Sequence, residues 1–111
     1  MKRYCLALDL KDDAGLIEEY KEYHRAVWPE IKESIVSSGI VDMQIYLTGN
    51  RLCMIVEAED SFSFEAKAAA DAGNPMVQRW EELMCKFQQV LPHAKPGEKW
   101  MPMERIFSLL A

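Results

Sequence analysis

The chain has 111 residues, half of them hydrophobic and 28% charged, with a formal net charge of -5. That is the make-up of one globular domain with enough core to need neither disulfides nor a metal. The acidic balance and the lack of any basic run exclude a nucleic-acid or anionic-membrane surface.

Three cysteines, Cys5, Cys53 and Cys85, leave an odd one over in any pairing, and each lies in an apolar periodic segment. They read as small core residues kept reduced. The apolar run after Met1-Lys2-Arg3 is broken by Asp9, too early for a signal peptide or a membrane span. The expectation is a cytoplasmic protein, one domain over residues 1–111, with no membrane partner.

In chain order, Tyr4, Leu6, Leu8 and Leu10 alternate with Cys5, Ala7 and Asp9, the period of a strand with one face in the core. Lys11 to Gly15 forms a loop in which Asp12 or Asp13 can cap a helix. The helix carries Ile17, Tyr20, His24, Val27 and, past Pro29, Ile31 and Ile35. Proline disfavours helical geometry at the residue before it, so the helix should end or kink beside Trp28. Ser37-Ser38-Gly39 closes it.

Val41 to Leu47 and Arg51 to Glu59 read as two strands joined by Thr48-Gly49-Asn50, a hairpin signal. In the first, Met43, Ile45 and Leu47 share a face opposite Asp42, Gln44 and Tyr46. The second is apolar on both faces, which predicts a central strand. After Ser61, Phe62, Phe64 and a run of alanines lead to Gly73-Asn74-Pro75, and Pro75 opens a helix bearing Met76, Val77, Trp80, Leu83, Met84 and Phe87. Pro92 to Gly97 is a loop. Trp100 to Leu109 alternates as a last strand, confined by Pro102 to a sheet edge or a strand start.

This order is the split β-α-β pattern of a ferredoxin-like α+β sandwich, βαββαβ. Helices would cover one sheet face, and a second copy of the chain is the simplest cover for the other, so a homodimer is expected.

The chemistry concentrates in Glu18 to Pro29. Tyr20 and His24 stand one helical turn apart on one face, and Trp28 lies at the proline bend. An imidazole titrates near neutrality, which makes His24 the natural general acid or base. Glu57 is a carboxylate in an otherwise apolar strand; it either floors a pocket or ends its strand in solvent. Tyr46 is a further polar ring. Trp28, Trp80 and Trp100 each fit a core first, though an indole face also stacks on the apolar face of a sugar ring. No zinc spacing, phosphate loop, dinucleotide fingerprint or nucleophile elbow is present. What remains is proton transfer without metal or cofactor, or binding without chemistry.

Glu18-Glu-Tyr-x-x-x-His-x-x-Val-Trp-Pro-Glu30, Ile45-Tyr46-Leu47 after Gly39, Val56-Glu57, and Val77-Gln-Arg-Trp80 before Met84 together resemble the L-rhamnose mutarotase family through nearly the whole chain. The resemblance implies a dimeric α/β barrel exchanging the anomers of a 6-deoxy-L-sugar, with His24 at the proton-donor position and Tyr20 and Trp80 at sugar-binding positions. Rhamnose-handling members carry a tyrosine where this chain has Met43 and a second tryptophan where it has Glu81, both sugar contacts. With Asn50-Arg51-Leu52, Phe62 to Glu65 and Lys95 to Trp100, these departures make it similar to the L-fucose mutarotase branch.

The mechanism expected from these residues has His24 protonate the ring oxygen, Tyr20, Tyr46 and Glu57 orient hydroxyls or accept the anomeric proton, and Trp80 stack on the ring. Its rivals are L-rhamnose as the sugar, a cofactor-free oxygenase or dehydratase on the same architecture, and a non-catalytic dimeric sugar-binding module.

Overall fold

The computed structural model describes residues 1–110 and places nine elements in the order β1 (Lys2–Leu10), α1 (Ala14–Arg25), α2 (Pro29–Ser37), β2 (Ile40–Thr48), β3 (Arg51–Ala58), α3 (Phe64–Ala72), α4 (Pro75–Cys85), β4 (Gln88–Gln89) and β5 (Met101–Pro102). The sheet is antiparallel and runs β2-β3-β1-β4, with β5 also paired to β1. Central β3 and edge β2 agree with their apolar patterns, and the expected α+β sandwich is what forms. Within this chain the sheet stays open; it does not close into a barrel.

Local chemistry sets each boundary. The Asp13 carboxylate accepts from the Leu16 amide at 3.0 Å and starts α1. Ala26 and Trp28 leave helical geometry ahead of Pro29, so of the expected end or kink it is an end, a break between α1 and α2. Gly39, at φ +99°, takes the left-handed turn that ends α2. Gly49, at φ +57° and followed by Asn50, makes the two-residue β2–β3 hairpin. Asn50 then bonds the backbone of Leu10 through both its carbonyl and its side chain, tying the hairpin to β1. Ser63 and Asn74 cap α3 and α4, and Pro75 opens α4 as predicted.

Strand alternation turns Leu6, Leu8 and Leu10, with Leu52, Val56 and Ala58, towards the helices. Two apolar clusters form there. Leu6, Ile40, Val56, Ala58 and Phe62 fill one end, and Leu10, Tyr20, Leu52, Met84 and Phe87 the other. Between them the layers part over a cavity.

The opposite sheet face carries Cys5, Ala7, Asp9, Cys53, Ile55 and Tyr46 and no helix. Asp9 is buried there but satisfied, since Arg51 opposite it on β3 donates from Nε at 2.8 Å and from a terminal nitrogen at 3.1 Å. The cysteines are not the core residues expected. All three are free thiols; Cys5 and Cys53 are half-buried on this uncovered face, and Cys85 is exposed at the end of α4.

The last strand is the main departure. Only Met101 and Pro102 pair with β1, followed by one bond from the Met103 amide to the Cys5 carbonyl at 2.7 Å. β4, unforeseen because Gln88 and Gln89 carry no strand pattern, pairs with Asp9 and Leu10 along β1. The alternation from Met103 onward has no partner strand among the described residues and leaves Ile106, Phe107, Leu109 and Leu110 exposed.

Candidate active site

The cavity has a volume of about 470 Å³ and lies between the sheet and all four helices. Leu6, Ile45 and Met54 form its floor, so the bottom is apolar. Tyr20 and His24 come from α1, Val27 from the turn after it, Trp80, Glu81 and Met84 from α4, and Met43 from β2.

His24 owes its position to the end of α1. Its Nδ1 lies 2.8 Å from the carbonyl oxygen of Tyr20, one turn earlier. A carbonyl only accepts, so Nδ1 carries the proton, and in the neutral ring Nε2 holds the lone pair. Burial pushes the His24 pKa below its ordinary value of 6.5, more than the backbone hydrogen bond raises it. At neutral pH the group is therefore an uncharged imidazole whose Nε2 is the nitrogen left to exchange protons with a ligand.

The ring is set by its neighbours. Its centroid is 4.4 Å from that of Tyr20 and 5.7 Å from that of Trp80, the latter in a T-shaped contact. Trp80 in turn meets Trp28 edge-on at 5.1 Å. Tyr20 is buried, and desolvation raises its pKa, opposed by a hydrogen bond from Gln88. It remains a neutral phenol. The Gln88 amide donates to the phenol oxygen at 3.4 Å, while its own buried Oε1 has no partner among the described residues.

Of the residues singled out in the sequence, Tyr20, His24, Met43, Trp80 and Glu81 line the cavity. Trp28 does not; it stands behind Trp80 and buttresses it. Tyr46 and Glu57 are excluded by strand parity. Met43 pairs across from Val56 on the helix-covered side, so Tyr46 and Glu57 fall on the other face of the sheet. Tyr46 is exposed and bonds Gln44 at 3.0 Å, and Glu57 lies beside Arg3. Gln88, Lys67 and Lys99 also line the cavity and were missed. Gln88 follows the end of a helix with no motif around it. Lys67 had a readable signal, because Phe64, Lys67, Ala68 and Asp71 follow the i, i+3, i+4, i+7 spacing of one helix face.

No group of three or more His, Cys, Asp or Glu residues placed to hold a metal occurs among the described residues. The site offers one uncharged imidazole, a neutral phenol, an indole wall and an amide acceptor over an apolar floor. Such a set can bind a small polyhydroxylated ring and move one proton across it.

Comparison with known proteins agrees with this chemistry. The family model described as L-rhamnose mutarotase matches residues 3–109. A protein of Xanthomonas campestris pv. campestris named L-fucose mutarotase is 47% identical over 111 residues, covering 98% of this chain and 89% of that one. An L-rhamnose mutarotase of Phocaeicola vulgatus is 30% identical, covering 98% and 99%. The crystal structure of the L-rhamnose mutarotase of Formosa agariphila superposes with a TM-score of 0.72 at 24% identity, covering 98% of this chain and 99% of that one. That structural likeness speaks for the fold alone.

Proposed function

The chain belongs to the L-rhamnose mutarotase family, and from that premise we propose that it interconverts the α and β anomers of a 6-deoxy-L-sugar, L-fucose first among them. The observation that carries the reading is His24, uncharged, held at Nδ1 by a backbone carbonyl and set against Trp80 in the wall of a sugar-sized cavity. Support for L-fucose is the relative of that name, together with Met43 and Glu81 at the cavity wall where the resemblance marks sugar contacts.

Ring opening needs a proton taken from the anomeric hydroxyl and one given to the ring oxygen. Both oxygens are bonded to the same carbon, so a single nitrogen can serve both. His24 Nε2 accepts the hydroxyl proton, the carbon–ring oxygen bond breaks with its electron pair going to the ring oxygen, and the imidazolium returns the proton there. The aldehyde rotates, and the reverse steps close the ring on either face. His24 thus becomes the donor expected from the sequence after first acting as acceptor. Tyr20, oriented by Gln88, keeps its hydroxyl proton for a substrate oxygen, and Trp80 stacks on the ring. Proton transfer of this kind is worth about 10²- to 10⁴-fold, and no step calls on a metal or cofactor.

The homodimer expected from the sequence is part of this reading. The half-buried Cys5, Cys53 and Ile55 on the uncovered face, and the exposed Ile106, Phe107, Leu109 and Leu110, are the surfaces a second copy would cover. Three free thiols and the absence of any helix long and apolar enough to cross a membrane, among the described residues, support a cytoplasmic location.

Saturation transfer between the two anomeric protons, measured for L-fucose, L-rhamnose and their 6-hydroxy relatives with added protein, tests the reading. Faster exchange for L-fucose supports it. Faster exchange for L-rhamnose alone transfers the assignment to that sugar. Saturable binding with exchange at the buffer rate makes the chain a binding module.

A further inference from the structure

We propose that the cavity has a second polar wall, built by Lys67, Asp71 and Ser34, that binds the two hydroxyls of the sugar remote from its anomeric carbon and so determines which sugar is accepted. This rests on the mutarotase reading and extends it to substrate recognition.

Lys67 and Asp71 lie on the cavity side of α3, and Ser34 faces them from α2. The Lys67 ammonium reaches one Asp71 oxygen at 2.7 Å, and the Ser34 hydroxyl donates to the other at 3.2 Å. The pair is shielded at both ends, with side-chain exposures of 19% and 16%. In every other ion pair among the described residues at least one partner is more than half exposed.

Helix stability does not explain the pair. A lysine four residues before its acid opposes the helix dipole, placing positive charge towards the N-terminus and negative charge towards the C-terminus, the weaker of the two orders. Core packing does not explain it either, because α3 has no buried residue. A shielded ion pair gains little for the fold over an apolar pair of the same shape.

What it offers is hydrogen-bonding capacity facing a cavity. The ammonium has three donors and uses one, and the carboxylate has about four acceptor sites and uses two. A neighbouring donor and acceptor held rigidly in this way match two adjacent hydroxyls, one accepting from Lys67 and the other donating to Asp71. The wall stands on α2 and α3, whereas His24 and Tyr20 line the same cavity from α1. With the anomeric carbon at His24, the hydroxyls assigned to this wall are those on C3 and C4.

The test is an NMR titration giving dissociation constants for L-fucose and its 3-deoxy and 4-deoxy analogues in wild-type protein, K67M, D71N and K67R, with anomer exchange followed in the same samples. K67M and D71N should bind L-fucose about tenfold to 100-fold more weakly. K67R, which keeps the charge and the donors, should recover part of the loss. Wild type should lose a similar factor on at least one deoxy sugar, to which K67M is indifferent.

Unchanged affinity in a folded K67M, or equal sensitivity of wild type and K67M to the missing hydroxyls, would overturn the proposal. The deoxy-sugar comparison uses the unaltered protein, so wild type binding both analogues as tightly as L-fucose also overturns it, even where a variant does not fold. Normal exchange with either result removes the second wall and leaves the mutarotase reading standing. Absent exchange in wild type, with weaker sugar binding in K67M and D71N, does the reverse.

Discussion

Replacing His24 by alanine removes one ring nitrogen that donates to the Tyr20 carbonyl, another left to take a proton, and a ring packed on Tyr20 and Trp80. If Nε2 carries the proton between the two oxygens of the anomeric carbon, the loss is the whole acid–base contribution, about 10²- to 10⁴-fold or roughly 3 to 5 kcal/mol of barrier. The fold should lose only about 1 kcal/mol, since the imidazole is half-buried and sits beside an open cavity. Exchange is read as saturation transfer between anomeric protons, and folding by urea titration.

The pH profile separates this role from a purely packing one. The pKa of His24 lies below 6.5, so wild-type exchange should be flat above that value. It should fall about tenfold per pH unit once the pH is below the lowered pKa, because a protonated Nε2 cannot accept. The same shift gives stability a sign. The folded chain holds the neutral ring, so this contribution is present in full above about pH 6.5 and is lost as pH falls through the folded value. H24A should lose the acid limb along with the rate. Exchange in H24A within a factor of three of wild type, or a wild-type rate that rises steadily into acid, would refute the assignment of the first proton to this nitrogen.

Other consequences are open to simpler checks. W80A, which removes the indole against Tyr23, His24 and Trp28, should raise KM for the sugar about tenfold while lowering kcat less. Substituting Arg51 by alanine strands the buried Asp9 carboxylate. Because Arg51 is itself largely exposed, the denaturant midpoint should fall, but by less than the full cost of breaking a buried pair. Wild type should weigh as a dimer in light scattering, and paired I106D and F107D substitutions should convert it to a monomer without disturbing the sheet; a wild type that already weighs as a monomer would remove the dimer, and an unchanged dimer mass in the variant would place the interface elsewhere.

Much of the architecture was legible because its signals are local. Pro29 and Pro75 marked a break and a helix start, Asp13 and Gly39 marked helix ends, and Gly49-Asn50 marked the hairpin. The apolar faces of β3 named it a central strand, and the period of β1 marked it as a strand with one face in the core. Alternation failed at Met103 to Leu109 because it records only that one side of a segment meets apolar surface. It does not record whose surface that is, and among the described residues there is none. β4 escaped notice because two glutamines pair through their backbone alone.

The site divided along the same line. Tyr20 and His24 could be read together because a helix fixes neighbours four residues apart. Tyr46 and Glu57 were named for their chemistry against their own parity, which already placed Tyr46 opposite Met43. Lys67 shared a helix face with Phe64, Ala68 and Asp71 and was legible there, whereas Gln88 reaches the cavity through tertiary packing that no periodicity carries.

The most direct measurement is the transfer of saturation from the α to the β anomeric proton of L-fucose as wild-type protein is added at catalytic concentration. The β signal should diminish in proportion to the protein, and not with an equal amount of H24A. A β signal indifferent to the wild-type protein, with L-fucose bound, would contradict the claim that this cavity opens and closes a sugar ring.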